Sequence, residues 1–306
     1  MRLSLSALLP LALFDLVADV EFSTLGFLSM PRPDMLTFVE SRGMLKALRA
    51  APRPLSVITT GELAPTLDGL SGIAAAADPR RAFFELHNHL ARNTGFYGTH
   101  RPTHIDPTAE VDPAASIAAT DVCVGPRTVI GPHVTIRGRC QIGADVVLHP
   151  GVVLGGRGFQ TTRFPDRVLD MTHAGGIRIG DGVVVHSNAV VASGVFHDDT
   201  TIGDDCRVGN LAFVSHSVKI GRRSFIGHLA VVNGGVSVGD AAWVGPGSTI
   251  RDRVTIGAGA RISLGTTVIE DVQPGQQMTG SVGVTHRRYL RHVSAARSSS
   301  YPKLGQ

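Results

Sequence analysis

The sequence predicts a parallel β-helix that is preceded by a small α+β domain and followed by a short basic helix. Two observations predict the β-helix: a branched apolar residue recurs at every sixth position, and the 306 residues include 36 Gly but only 5% aromatic residues. A period of six fits neither an amphipathic α-helix, which repeats near 3.6 residues, nor a single strand, which repeats at 2. It fits a chain that turns a corner after each short strand, so that three hexads close one triangular coil.

The hexad register is unbroken from Ile202 to Val268, where every sixth residue is Ile or Val. Earlier members stand at positions 105, 111 and 117, at 124, 130, 136, 142, 148 and 154, and at 179, 185 and 191. We count Phe196 as a shortened hexad before Ile202, which gives roughly twenty-five hexads or about eight coils. Gly often follows the inward residue, and we attribute this to a turn of the backbone at that point.

Three segments follow from where this register starts and stops. Residues 1–98 read as a small α+β domain, with strands at 36–39 and 55–58 and a helix at 79–90 that begins after Asp78 as N-cap. Residues 99–273 form the β-helix, and residues 274–306 form a short basic segment with a helix predicted at 285–293. Residues 155–176 abandon the register, and we expect functional residues in this excursion because loops on a rigid scaffold commonly carry function.

Composition narrows the functional classes. The net charge is +4 with a pI near 9.3, but the basic residues are dispersed and concentrate only at 286–292, without aromatic residues to stack bases. This argues against a nucleic-acid interface and leaves phosphates of a small ligand or an acidic carrier protein as partners. The apolar start at 1–14 contains Pro10 and is soon followed by acidic residues, so we expect a buried segment rather than a leader or a membrane span.

Cysteine and histidine spacing gives no sign of a metal or redox centre. The three cysteines, Cys123, Cys140 and Cys206, have no CxxC spacing and are expected to pack as small apolar residues. The histidine clusters at 87–89 and 100–104 lack a converging third ligand, so no metal is predicted.

The best candidate for chemistry is His216, which follows the inward Val214 by two residues and should lie outward at a corner. With 18 residues in a coil, the residue stacked beneath His216 is Asp198. A carboxylate at this position could hold the imidazole tautomer and raise its basicity, as a general base requires. The alternative from spacing alone is an exposed histidine beside an acidic turn.

Several segments between about Leu36 and Arg291 resemble the UDP-3-O-(3-hydroxyacyl)glucosamine N-acyltransferases of lipid A synthesis, as a divergent member. The matching segments are LeuThrPheVal (36–39), GlyArgGlyPheGln (156–160), HisAlaGlyGlyIleArgIleGlyAsp (173–181), AspAspThrThrIleGly (198–203), AsnLeuAlaPheValSerHisSer (210–217) and ProGlyGlnGlnMetThrGlySer (274–281). The resemblance implies a left-handed parallel β-helix and places the catalytic base of the family on His216.

The same resemblance implies a cytoplasmic homotrimer with no tightly bound cofactor. His216 would take a proton from the amine of a nucleotide-linked amino sugar as it attacks an acyl thioester carried by acyl carrier protein or coenzyme A. The excursion at 159–167 would close over a neighbouring protomer's site. The implied substrate-binding residues are Phe38, stacked on uracil, with Phe159, His173, Asn210 and Arg253.

Departures from the family pattern keep two other functions open. Ser41, Gly43 and Met44 replace polar and aromatic residues of the uridine motif, Arg253 replaces a histidine, and the C-terminal helices are shortened. These changes favour an acetyl-CoA-dependent N-acetyltransferase of another nucleotide amino sugar, for surface polysaccharide or antibiotic synthesis. A non-catalytic nucleotide-sugar binder is the third hypothesis. Trp243 is expected in packing or in a trimer contact.

Overall fold

The computed structural model describes residues 1–53, 55–67 and 69–280, together with Arg287, Arg291 and Ser294. Apart from Arg287 and Arg291, which are helical and exposed, the helix predicted at 285–293 lies outside the described residues.

Three parallel sheets form the faces of a left-handed β-helix. The first face contains the strands His104–Ile105, Val122–Val124, Cys140–Ile142, Ile177–Ile179, Thr200–Ile202, Lys219–Ile220, Ser237–Val238 and Thr255–Ile256. The second face contains Glu110–Val111, Val129–Ile130, Val147–Leu148, Val184–Val185, Arg207–Val208, Phe225–Ile226, Trp243–Val244, Arg261–Ile262 and Gln277–Met278. The third face contains Ser116–Ile117, Thr135–Ile136, Val153–Gly156, Val190–Ala192, Phe213–Val214, Val231–Val232, Thr249–Ile250 and Thr267–Val268.

The predicted inward residues fill the interior of this prism. Nearly all are less than 5% exposed, and the interior forms one continuous apolar cluster from Val122 to Val272. Only the first coil is less covered, since Val111 is 37% exposed at the open end of the prism. The hexad pattern therefore predicted the core correctly, because each strand must turn a branched apolar side chain into the narrow triangular interior.

Two details of the predicted repeat are wrong. Phe196 is not a hexad position: it lies between the strands Val190–Ala192 and Thr200–Ile202, and its ring packs 5.0 Å from Phe27 in the core of the N-terminal residues. The β-helix was also predicted to end at residue 273, but Gln277–Met278 adds another parallel strand, which pairs with Arg261–Ile262.

The glycines after the inward residues were predicted to allow a turn of the backbone, but they are needed for a different reason. A Cβ on Gly203 would lie 2.8 Å from the backbone nitrogen of Arg222 in the next coil, so glycine is needed for the close approach of coils. The positive φ of the corners occurs elsewhere, for example at Asp205 and Arg223 with φ of 58° and 55°.

Residues 3–93 fold around a five-stranded sheet. Its strands, in spatial order, are Asp15–Ala18, Gly72–Ala75, Leu55–Thr59, Met35–Val39 and Thr24–Leu25, and all neighbours except the first pair are parallel. Leu3–Ser4 pairs separately with Glu21–Phe22. Short 3₁₀ helices cover Ser6–Leu11, Arg42–Met44 and Ala64–Thr66, and the α-helices are α1 (Leu45–Ala50) and α2 (Pro79–Asn93).

The predictions for this part agree with the structure in its main elements. The strands at 36–39 and 55–58 are present, and the Asp78 carboxylate caps α2 by accepting the N–H of Arg81 at 2.9 Å. Leu5 and Leu8 of the apolar start are buried in the same core. Of the cysteines, Cys140 and Cys206 are buried as expected, whereas Cys123 is exposed on the first face, so that part of the cysteine prediction is wrong.

None of the helices in the described ranges is long and apolar enough to cross a bilayer.

Candidate active site

His216 lies where the chain passes from the third face to the first, between Phe213–Val214 and Lys219–Ile220; we call this edge of the prism the 3–1 corner. The next residue, Ser217, has a φ of 61° and is fixed by its N–H, which donates to Thr200 Oγ1 at 2.9 Å. The carbonyl of His216 accepts the N–H of Gly235 at 3.0 Å. Both sides of the histidine are therefore fixed to neighbouring coils.

Two glycines seat the imidazole of His216. A Cβ on Gly234, one coil further, would lie 2.6 Å from both Cε1 and Nε2 of the ring. A Cβ on Gly158, in the excursion, would lie 3.3 Å from its Cδ2 and 3.0 Å from Nε2 of His173. Because neither glycine has a side chain, the ring can lie against both backbones.

His173 packs beside His216, with ring centroids 5.7 Å apart at an interplanar angle of 68°. The N–H of Gly158 donates to its Nε2 at 3.1 Å, so we assign the proton to Nδ1. Burial, and then the neighbouring His216, lower the pKa of His173 to about 4. Its Nδ1 is buried and has no hydrogen-bond partner in the described part of the chain. His173 is therefore a neutral neighbour of His216.

The electrostatics of His216 favour its neutral form. Burial lowers the pKa of His216 below its usual value of 6.5, and this outweighs Asp198 and Asp252, which act in the opposite direction. Asp198 therefore raises the pKa of His216 as predicted, but the predicted net increase is wrong, because burial lowers this pKa by more. Nδ1 lies 3.3 Å from Ser217 Oγ, and Nε2 has no partner within the described ranges, so it can accept a proton.

Asp198 does lie beside His216, although not for the predicted reason. The 18-residue offset holds on the first face, where Thr201 pairs with Lys219. On the third face Phe213 pairs with Val190, an offset of 23, because the loop at 193–199 adds five residues. Asp198 belongs to this loop, and it is 6% exposed while its Oδ1 accepts the N–H of Phe196 at 2.9 Å.

A narrow apolar cavity of about 30 Å³ joins Asp198 and His216 to the N-terminal sheet. Phe27, Met30 and Arg32, from the connection between Thr24–Leu25 and Met35–Val39, line its other side. A volume of this size holds one or two water molecules. The N-terminal residues therefore cover the site rather than form a separate unit.

Helix α2 holds the excursion against the two histidines. The Asn88 side chain bonds the backbone at both ends of one peptide segment: its Nδ2 donates to the Asp170 carbonyl at 2.9 Å, and its Oδ1 accepts the Thr172 N–H at 2.8 Å. Within the excursion, Thr161–Arg163 and Val168–Asp170 form an antiparallel hairpin. This docking fixes the backbone immediately before His173.

Ion pairs and a buried histidine extend this contact. Arg81 pairs with Glu85 at 2.8 Å and with Asp166 at 2.9 Å, and Arg167 also pairs with Glu85. His87 Nε2 donates to the Thr172 carbonyl at 2.7 Å. The excursion is thus a docked element that α2 positions.

The other predicted substrate-binding residues fall in different places. Phe38 is 8% exposed, packs 5.2 Å from Phe83 and lies beneath the Arg80 guanidinium, so the expectation that it stacks a base is wrong. Asn210 lies at the corner between the second and third faces, where its N–H donates to His228, so it is not brought to His216.

Arg253 and Phe159 remain near the site. Arg253 lies two coils along the 3–1 corner, beside Met30 and Gly235, and its charge contributes to the lowered pKa of His216. Phe159 is 93% exposed next to Gly158, so its ring is free to contact a ligand or another protomer.

Gly158, Gly234, Met30 and Arg32 were not predicted to lie against His216. The hexad count could have marked Gly234, which lies 18 residues after His216 at the same corner. No periodic signal could have found Met30 or Arg32, because their position depends on how the N-terminal sheet docks on the prism.

Comparison with known proteins supports the repeat and the resemblance. The bacterial transferase hexapeptide model (six repeats) matches residues 121–156 and 199–234, and the hexapeptide repeat of succinyl-transferase matches 217–252. A UDP-3-O-acylglucosamine N-acyltransferase from Pseudomonas paraeruginosa is 26% identical over 67% of this chain and 64% of that protein. The Caulobacter sp. protein of the same name is 38% identical over 28% of this chain and 25% of that protein.

The chain thus spans between a quarter and two-thirds of the length of these curated relatives. Among solved structures, UDP-N-acetylglucosamine acyltransferase from Campylobacter jejuni aligns at 20% identity over 66% of this chain and 86% of that chain, with a TM-score of 0.49. The fold described above therefore rests on this chain's own strand pairing. The sequence relatives confirm the resemblance: this chain carries bacterial transferase hexapeptide repeats and has homologues, at modest identity over two-thirds of its length, that are named UDP-3-O-acylglucosamine N-acyltransferase.

Proposed function

We propose that this protein is an N-acyltransferase that moves an acyl group from a thioester donor to the amine of a nucleotide-linked amino sugar, with His216 as general base. The observation that carries the proposal is a half-buried, neutral imidazole with a free Nε2, seated at a corner where an excursion and the N-terminal sheet converge. The names of the relatives supply the substrate class.

The chemistry requires a base that is neutral at pH 7. As the amine nitrogen bonds to the thioester carbonyl, Nε2 of His216 accepts the ammonium proton. The tetrahedral intermediate then expels the thiolate, which takes that proton from His216 and leaves as the thiol, while the amide remains on the sugar. The lowered pKa keeps His216 in the accepting form without a metal or another cofactor in these steps.

A second candidate, an acetyl-CoA-dependent N-acetyltransferase of another nucleotide amino sugar, is favoured by the position of Phe38. This ring is 8% exposed and packs against Phe83, so it does not offer a free face to uracil. Both functions use the same proton transfer and differ in the acyl group.

We also propose that the active form is a homotrimer. Phe225 and Trp243 are 39% and 43% exposed on the second face, with ring centroids 5.4 Å apart. Leu211 and Leu229 are exposed at the corner between the second and third faces. Large apolar side chains exposed on neighbouring coils suit a contact between protomers.

The test is an acylation assay with a UDP-linked 2-amino sugar as acceptor, in which acyl-loaded carrier protein and acetyl-CoA are compared as donors and the product is measured by mass spectrometry. His216→Ala should slow transfer by roughly 10²- to 10⁴-fold. The control is His104→Ala, since His104 is exposed on the first strand of the prism. Transfer by His216→Ala at the parent rate refutes the proposal, and transfer from acetyl-CoA alone selects the second candidate.

A further inference from the structure

A second cavity, of about 750 Å³, lies along the same 3–1 corner in the coils that precede His216. Arg137 and Arg139 line it from one coil, and Arg157 lines it from the start of the excursion. His173 lies at its inner end, and its ring is 5.7 Å from that of His216. The cavity, which we call the arginine cleft, thus leads to the candidate active site.

The charge of the arginine cleft is positive and largely uncompensated. Arg137 and Arg157 are exposed, and neither has an ion pair or side-chain hydrogen bond in the described part of the chain. Asp121, a carboxylate that lines the cleft, accepts from His100 Nδ1 at 2.5 Å and from the N–H of Arg101 at 2.7 Å.

Arg139 has a different role from the other two arginines. Its guanidinium donates to the carbonyl oxygens of Tyr97 and Gly98, so it holds the linker between the N-terminal sheet and the prism. Two guanidinium groups, those of Arg137 and Arg157, are therefore free to bind an anion that enters the cleft.

The arginine cleft lies close enough to His216 for one ligand to reach both. The corner that carries Arg137 precedes the corner of His216 by three coils, which is roughly 14 Å at the usual strand spacing. A ligand with an anionic group between Arg137 and Arg157 can therefore extend along the corner and place a reactive group at His216.

We propose that the arginine cleft binds a phosphate or diphosphate group of the ligand whose reacting end reaches His216. Guanidinium groups bind phosphate oxygens in a bidentate manner, and two of them at one cleft suit a diphosphate. The volume is in the range of small-molecule sites, and backbone at Gly155 and Gly156 lines the same cleft. That the reacting end of this ligand reaches His216 rests on the proposed function, whereas phosphate binding in the cleft does not.

Two ligands of the proposed reaction carry this chemistry, coenzyme A and a nucleoside diphosphate sugar. Titration calorimetry with inorganic pyrophosphate, coenzyme A and UDP as separate probes distinguishes them. Arg137→Gln and Arg157→Gln should each weaken pyrophosphate binding by roughly tenfold or more, and added salt should reduce the difference. If the affinity for coenzyme A or for UDP falls in these variants together with that for pyrophosphate, that compound occupies the cleft.

Two controls make the result specific. Arg223→Gln removes one exposed positive charge from a different corner and should leave all three affinities unchanged. His216→Ala should slow transfer by roughly 10²- to 10⁴-fold but retain probe binding, so loss of the proposed function and loss of the cleft are measured separately. The proposal is overturned if the double variant R137Q/R157Q binds the probes as tightly as the parent, or if the parent binds none of them at millimolar concentration.

Discussion

His87 should make the fold sensitive to mild acid. Its ring is fully buried on α2, and burial lowers its pKa from 6.5 to about 4. Nε2 donates to the Thr172 carbonyl and Nδ1 accepts from the Tyr97 hydroxyl, both at 2.7 Å, so the neutral ring is fully paired. This contact joins α2 to the residue before His173.

The sign of the pH dependence follows from proton binding. Between pH 6.5 and 4 the unfolded chain binds a proton at His87 that the folded chain does not, so stability falls as the pH falls through this window. A shift from 6.5 to about 4 corresponds to about 3 kcal/mol, which is a large part of the stability of a typical domain. Paired carboxylates such as Asp145, with a pKa lowered from 3.8, contribute only below this window.

The assay is urea denaturation at pH 7, 6, 5 and 4.5, followed by circular dichroism at the helical band, to which α2 contributes as the longest helix of the described residues. His87→Gln is the informative variant, because its side-chain amide can donate to Thr172 and accept from Tyr97 but cannot titrate. Between pH 7 and pH 4 the variant should lose about 3 kcal/mol less unfolding free energy than the parent, whereas His173, whose pKa is also lowered to about 4, destabilises both proteins as the pH falls. Equal losses in parent and variant would refute the assignment of this pH dependence to His87.

Three further predictions concern the active site and the assembly. Gly234→Ala should displace the His216 ring, because the added Cβ would lie 2.6 Å from it, and kcat/KM should fall by roughly 10²-fold. The control is Gly95→Ala, whose Cβ would meet no atom within 4 Å and should leave kcat/KM unchanged. Asp198→Asn should move the acid limb of the pH–rate profile, already below 6.5, to still lower pH, since this carboxylate raises the pKa of His216; an unmoved limb would contradict the coupling. Trp243→Arg should reduce the mass measured by light scattering from trimer to protomer, and an unchanged trimer would place the interface elsewhere.

The repeated part of the fold could be predicted because each hexad obeys one local rule. A branched apolar residue at every sixth position must point into the prism, so the register of Ile202 to Val268 is visible without any knowledge of distant contacts. The cap of α2 was visible for the same reason, since Asp78 bonds the N–H of a residue only three positions ahead.

The site could be predicted only in part, because its remaining contacts join distant segments. Counting by eighteen placed Asp198 beneath His216, but the real offset on the third face is 23. Asp198 reaches the histidine since Gly194 and Gly175 let its carbonyl approach; a Cβ on either would lie 1.6 or 2.0 Å from that oxygen. The prediction that Phe38 stacks on uracil was wrong for a related reason: its ring packs against Phe83, on a helix more than forty residues away in the sequence.

The interruptions of the repeat share one location, and this explains how a uniform prism acquires a single site. The excursion leaves the third face after Val153–Gly156 and returns to the first at Ile177–Ile179, and the loop at 193–199 makes the same passage one coil later. A regular corner repeats every 18 residues and offers the same environment many times. Within the described residues, two insertions and the docked N-terminal sheet meet at the 3–1 corner, and this places the half-buried, neutral His216 next to a cleft that leads outward.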